Sequence, residues 1–180
     1  MIQTRTWGGT ADQRKATNSI ARWSAHKLMT NRMANSLSVN IALVKDLFVK
    51  EGVYGDCGEQ ESEYNARRPK KFKIRVDSSM ALRPMLTTVA HEMVHVKQYA
   101  TEELRGVSQR ISFLPMMRYK GELYYDHMQY WEQPWEIEAH GWERGLFEMW
   151  AEDNDVFKHP KENAWAFEDF YPRGYWKSVK

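Results

Sequence analysis

The chain is predicted to adopt an α+β fold, with a small antiparallel or mixed sheet packed against two long helices. Three observations carry that expectation. Residues 72–76 (FKIRV) alternate strictly between apolar and charged, as a strand with one covered face does. An uninterrupted helical pattern then starts near Pro84, and a second helical pattern starts at Pro134. Strands followed by helices, rather than a regular β-α alternation, point to α+β.

Each element rests on local chemistry. Residues 11–36 read as a helix: Ile20, Trp23, Lys27 and Met33 lie at roughly helical spacing, Gly and Pro are absent, and Thr10 or Asp12 offers a cap. Residues 38–48 (SVNIALVKDLF) begin as a strand and end with helical character. Gly52, Gly55 and Gly58 bracket a turn and short strand around residues 54–59. The polar loop RRPKK at residues 67–71 leads into the alternating strand, which is read as a sheet edge. Asp77 or Ser78 can cap the next helix, Pro84 fits its first turn, and the helix is expected to run to about Leu104, ending near Gly106. Residues 118–125 (RYKGELYY) suggest a bent strand or hairpin around Gly121. The second helix is expected from Pro134 past Trp150. From Asp153 the tail reads as loop around Pro160 and Pro172, anchored by Trp165, Phe167, Phe170 and Trp176.

Composition narrows the class. A chain of 180 residues can bury a core without staples, and 42% hydrophobic with 28% charged residues is ordinary for a soluble domain. The 26 basic and 24 acidic residues nearly cancel, so no global field calls for nucleic acid or membrane. Cys57 stands alone, which excludes an intrachain disulfide and a thiolate-rich metal site and makes the reducing cytosol the natural compartment. The N-terminus MIQTRTWGGTADQRK has no apolar core for a signal peptide, and no run of eighteen apolar residues is long enough to span a membrane. A cytoplasmic protein is expected.

The chemistry concentrates in HEMVH, from His91 to His95. Two histidines four apart on a helix point the same way and can share one metal ion, and Glu92 between them can reach a water on that ion. On a helical wheel, Leu82, Leu86, Val89, Met93, Val96 and Ala100 make one stripe, while His91 and His95 form another face with Thr88 and Gln98. A catalytic zinc site needs three protein ligands and an open position. PWEIEAH offers the third ligand, with Glu136 and His140 four apart on one helix face. Glu138 would point about 200° away from Glu136. Glu132, Glu138 and Glu143 are read as a solvated face.

HEMVH followed by E-I-E-A-H resembles the gluzincin metallopeptidases, especially the compact minigluzincins, whose second helix carries E-x-x-A-D or E-x-x-A-N. The resemblance covers about residues 72–150. It implies a zincin-like fold, a Zn2+ ion held by His91, His95 and Glu136, and Glu92 as general base. The chain departs from the pattern at His140, where the family has Asp or Asn. His140 can hydrogen-bond a ligand, replace Glu136 as third ligand (as in the His-only sites of SprT-like proteases) or supply a fourth. HEMVHVKQ with WEQPWEIEA is also similar to SprT-like proteins of bacteriophages. The expected organisation is one domain over residues 1–180: an N-terminal helix at 11–36, a metal core at 72–150 and an aromatic tail at 151–180.

The resemblance implies a peptidase. Zinc would acidify its water, Glu92 would take the proton, and Tyr124, Tyr125, His127 or Tyr130 would assist the oxyanion. The strand at 72–76 would offer its edge to a protein or peptide substrate. Arg67, Arg68, Lys70, Lys71 and Lys73 form a local basic cluster that reads as a solvated loop; nucleic acid is the secondary reading. The rival function is a non-catalytic protein, for example a phage structural or accessory component, that keeps zinc as a folding staple. In a further alternative the aromatic tail covers the cleft.

Overall fold

The computed structural model describes residues 1–60, 68–107, 116–125, 127–159 and 161–167. It shows an α+β fold. One sheet is built from β1 (Gln3–Gly8), β2 (Ser38–Val44), β3 (Gly55–Glu59) and β4 (Lys71–Asp77), in the spatial order β1-β2-β4-β3. β1, β2 and β4 run parallel, and β3 is antiparallel to β4. Phe72, Ile74 and Val76 of β4 are fully buried, while Lys71 and Lys73 face solvent.

The alternating strand is not an edge. Lys73 of β4 pairs with Asn40 on one side and Gly58 on the other. Alternation reports that one face is covered; it carries no information about which strands flank it. Among the described residues the edges are β3 and β1. The latter, QTRTWG, has no apolar pattern that would announce a strand, and its strand character rests on pairing with β2.

Helix α1 (Ala11–Leu28) starts in a capping box: the Thr10 hydroxyl accepts from the Gln13 backbone N–H, and the Gln13 side chain accepts from Thr10 N–H. The expected single helix over 11–36 breaks after Leu28. Met29 is extended, and Thr30 caps a separate turn, α2 (Asn31–Ala34). After β2 the chain forms α3 (Leu47–Glu51), so both characters read in residues 38–48 are present, one after the other.

Helix α4 (Leu82–Ala100) carries HEMVH. Neither Asp77 nor Ser78 caps it. Asp77 is the last residue of β4, and its carboxylate accepts from the backbone N–H groups of Phe48 and Ser79, capping α3 instead. The helix also stops short of Leu104. Glu102 takes a left-handed backbone (φ 61°) and the Thr101 hydroxyl bonds back to the Lys97 carbonyl, turning the chain into β5 (Leu104–Val107). β5 joins β6 (Met116–Tyr119) and β7 (Glu122–Tyr125) in an antiparallel three-stranded sheet. The expected hairpin around Gly121 is there, with Lys120 and Gly121 both at positive φ, as a two-residue turn requires.

Helix α5 (Pro134–Asp153) opens with Pro134 in its first turn, as expected. The core lies where α1 and α4 pack on the four-stranded sheet and α5 packs on α4 and α1. Ile20, Val39, Ile41, Ile74, Leu86, Met93 and Phe147 are among its members. A second cluster of Leu104, Tyr119 and Trp135 fastens the smaller sheet to the start of α5. Trp165 of the tail packs on Phe147; Pro160, Phe170, Pro172 and Trp176 lie outside the described residues.

Candidate metal centre

Helix α4 is buried nearly all round, which is why it can carry ionisable groups inward. The aliphatic stripe faces the sheet and α1, while His91 and His95 are buried against α5. In the first turn of α5, Glu136 is buried and reaches back toward both histidines. His91 Nε2 lies 3.1 Å from His95 Nε2 and 3.3 Å from Glu136 Oε2, and His95 Nε2 lies 3.3 Å from Glu136 Oε1. His140 is one turn further along α5. Its ring joins His91 and Glu136 in a group whose ligand atoms all lie within 4.8 Å of one another and that can hold a metal ion.

These separations suit one small ion. With bonds of 2.0–2.1 Å, neighbouring ligand atoms in a tetrahedral zinc site stand about 3.3 Å apart. Glu136 Oε2 is fully buried and has no well-aligned hydrogen-bond donor, which is costly for a carboxylate oxygen unless a cation faces it.

The outer nitrogens of both rings are committed. His91 Nδ1 is 2.8 Å from Glu143 Oε2; a carboxylate only accepts, so this nitrogen carries the proton and Nε2 is the one turned to the cluster. His95 Nδ1 is 2.8 Å from Gln98 Oε1. The Gln98 amide N–H2 group donates to the Trp135 carbonyl and to Glu138, which fixes the amide oxygen toward His95. Both ring nitrogens of His140 are likewise taken: Nδ1 is 3.1 Å from Glu143 Oε2, and Nε2 is 3.0 Å from the Tyr130 hydroxyl. Trp131 lies over His140 from the solvent side, with 67% of its surface exposed.

The charges are strongly coupled. Burial disfavours a charged His91, but hydrogen bonds to Glu136 and Glu143 outweigh it and raise the imidazole to about 10. His95 is shifted up against burial by Glu136 and Glu92. Burial would raise the Glu136 carboxyl, yet His91 and His95 hold it well below the usual carboxylate range. Glu143 is also lowered, through His140 and His91, despite its burial.

Glu92 lies under β3, close enough to His95, His91 and Glu136 to feel their charges. Burial pushes its carboxyl up to about 7; His95 and His91 counter this, and Glu136 and Asp56 add to it. Gly55 of β3 rests on it: a Cβ there would stand 2.8 Å from Glu92 Oε1 and 2.7 Å from Thr88 Cγ2. The strand backbone therefore runs directly past this carboxyl.

His91, His95 and Glu136 are thus brought together, with Glu92 next in the chain to one of them. Of the four candidates for oxyanion assistance, Tyr130 is the one with a described contact in the cluster. Tyr124 packs on Trp135, and Tyr125 and His127 lie against each other. The solvated reading holds for Glu132, which is exposed, and fails for two others. Glu143 is buried between His91 and His140, and Glu138 accepts from Gln98, Tyr119, Lys97 and Lys120. Sequence reasoning misses Glu143, although at seven residues from Glu136 it returns to within about 20° of the same helix face. In the basic cluster, Arg68 pairs with Glu102 at 2.7 Å, and Arg67 lies outside the described residues. No helix among the described residues is long and apolar enough to cross a membrane. Comparison with protein-family models, with curated protein sequences and with solved structures finds no match, so the geometry of this cluster is the ground for any functional reading.

Proposed function

We propose that the chain is a zinc-dependent peptidase in which His91, His95 and Glu136 hold the ion and Glu92 is the general base. The observation that carries this is the cluster of His91 Nε2, His95 Nε2 and the two Glu136 oxygens, one facing each ring, with contacts of 3.1–3.3 Å and with Glu136 Oε2 left without a well-aligned donor. Zinc, when bound, supplies a Lewis acid that lowers the pKa of water and polarises a carbonyl. Glu92, next in the chain to His91 and buried near the cluster, is placed to accept a proton from water and pass it to a leaving amine. Tyr130 assists the oxyanion with its hydroxyl, which already reaches His140 beside the cluster.

β3 supports a peptide as substrate. It is a sheet edge beside Glu92, so an extended chain added to it would run past the base. The edge assigned to residues 72–76 thus passes to residues 55–59.

The second reading, a non-catalytic protein with a zinc staple, draws on the closeness of His140 to His91 and Glu136. It needs His140 as fourth ligand, which would break its bond to Tyr130 or to Glu143; the open, three-ligand arrangement keeps both. Glu92→Gln decides between them. The peptidase reading expects full zinc content by metal analysis and cleavage of an unstructured protein reduced about 100-fold or more. Undiminished cleavage in Glu92→Gln overturns the mechanism, and a wild-type protein with bound zinc but no cleavage of any peptide library favours the staple.

A further inference from the structure

Glu138 is two hydrogen bonds away from the cluster, and its two oxygens do different things. Oε1 faces the ammonium groups of Lys97 (3.3 Å) and Lys120 (3.1 Å). Oε2 accepts from the Tyr119 hydroxyl (2.8 Å) and from Gln98 Nε2 (2.8 Å). Gln98 is fully buried and has one amide to divide between donors and acceptors. With its N–H2 group held by Glu138 and by the Trp135 carbonyl, its oxygen has only one direction left, toward His95 Nδ1 at 2.8 Å. Were the amide reversed, both N–H bonds would be lost and Oε1 would face two acceptors. An N–H2 group would then face His95 Nδ1, and the ring would favour the tautomer whose proton sits on Nε2, the atom turned to His91 and Glu136.

We propose that Glu138 is a positioning residue of the metal centre: through Gln98 it selects the His95 tautomer that leaves Nε2 free to bind a cation. This rests on the reading of His95 as a metal ligand. The two histidines are then held by different means. His91 is oriented directly by a carboxylate, Glu143, whereas His95 is oriented by a neutral amide that itself needs a carboxylate to fix its sense. That second carboxylate is also where the β6–β7 hairpin, through Tyr119 and Lys120, meets α4 and α5.

The test is zinc affinity of the full-length protein, measured by competition with a chromogenic chelator, together with thermal stability. Glu138→Gln keeps the shape but brings an N–H2 group among donors; it is expected to lower zinc affinity about 10- to 100-fold. Gln98→Leu should show a similar loss, and the double variant should lose little more than either alone, since the two act in series. Lys120→Met removes one partner of Oε1 and a contact of Tyr119 but leaves both Gln98 amide bonds in place; it is expected to lower stability without changing zinc affinity. In the zinc-loaded protein the His95 Nδ1 proton should be visible by 15N-resolved NMR in the wild type and exchange faster in Glu138→Gln. Wild-type affinity in Glu138→Gln, additive losses in the double variant, or zinc losses that merely follow stability in all three single variants would each overturn the proposal. Absence of zinc binding by the wild type would instead overturn the metal reading on which it rests.

Discussion

At Gly55 a missing side chain is a packing requirement, because β3 approaches α4 too closely for a Cβ. Gly55→Ala must push aside both the Thr88 methyl and the Glu92 carboxylate. The expected loss is about 1–3 kcal/mol in urea unfolding, with zinc content preserved, since none of His91, His95 and Glu136 is among the atoms a Cβ would meet. Glu143→Gln is expected to weaken zinc binding about 10- to 100-fold in chelator competition, because an amide can offer its N–H2 group to His91 and spoil the ring's orientation. At this scale HEMVH is legible, since a four-residue spacing of two ring nitrogens has few other uses. Glu143 is not, although helical geometry places it beside Glu136 and His140. Sequence alone puts three glutamates in one solvated class, and only contact across to α4 separates the one that binds His91 from the one that faces water.

Among the elements, the two long helices are well marked in sequence, while their boundaries and the sheet order are not. Asp77 has the makings of a cap for α4, but it closes β4 and serves α3, accepting from a residue 29 positions earlier in the chain. A side chain that accepts from a distant segment cannot be assigned from local sequence. Asp77→Ala leaves the part-buried Phe48 N–H without its acceptor and is expected to cost about 1–3 kcal/mol, read as a fall in melting temperature of several degrees. The end of α4 is obscured for a related reason: Leu104 continues the apolar helical pattern, yet it is buried in the smaller sheet against Tyr119 and Trp135. β1 can be found only through its partner, β2.

For the whole molecule, the cluster ties stability to pH and to metal. After metal is stripped with a chelator, His91, raised from 6.5 to about 10, contributes stability that is complete below pH 6.5 and fades as pH rises toward 10. Glu136 and Glu143, lowered from 4.5, contribute stability that is present above pH 4.5 and is lost as pH falls. Glu92, raised from 4.5 to about 7, contributes stability that fades as pH rises above 4.5, so the stripped protein should melt at its highest temperature at about pH 5. Zinc should reverse the alkaline decline, since protons and zinc compete for His91 and His95; the zinc-induced rise in melting temperature should grow from about pH 6 to about pH 8. A constant rise across that range would contradict this. The 3.1 Å approach of the two Nε2 atoms sets protons and a metal ion in competition for the same place. A cation binds each ring through its Nε2 lone pair, so a proton held there, which the raised pKa values of His91 and His95 favour, has to leave first. Loading is then an exchange of one small cation for another within a folded protein, and calorimetry in buffers of different ionisation enthalpy should register at least one proton expelled for each zinc taken up.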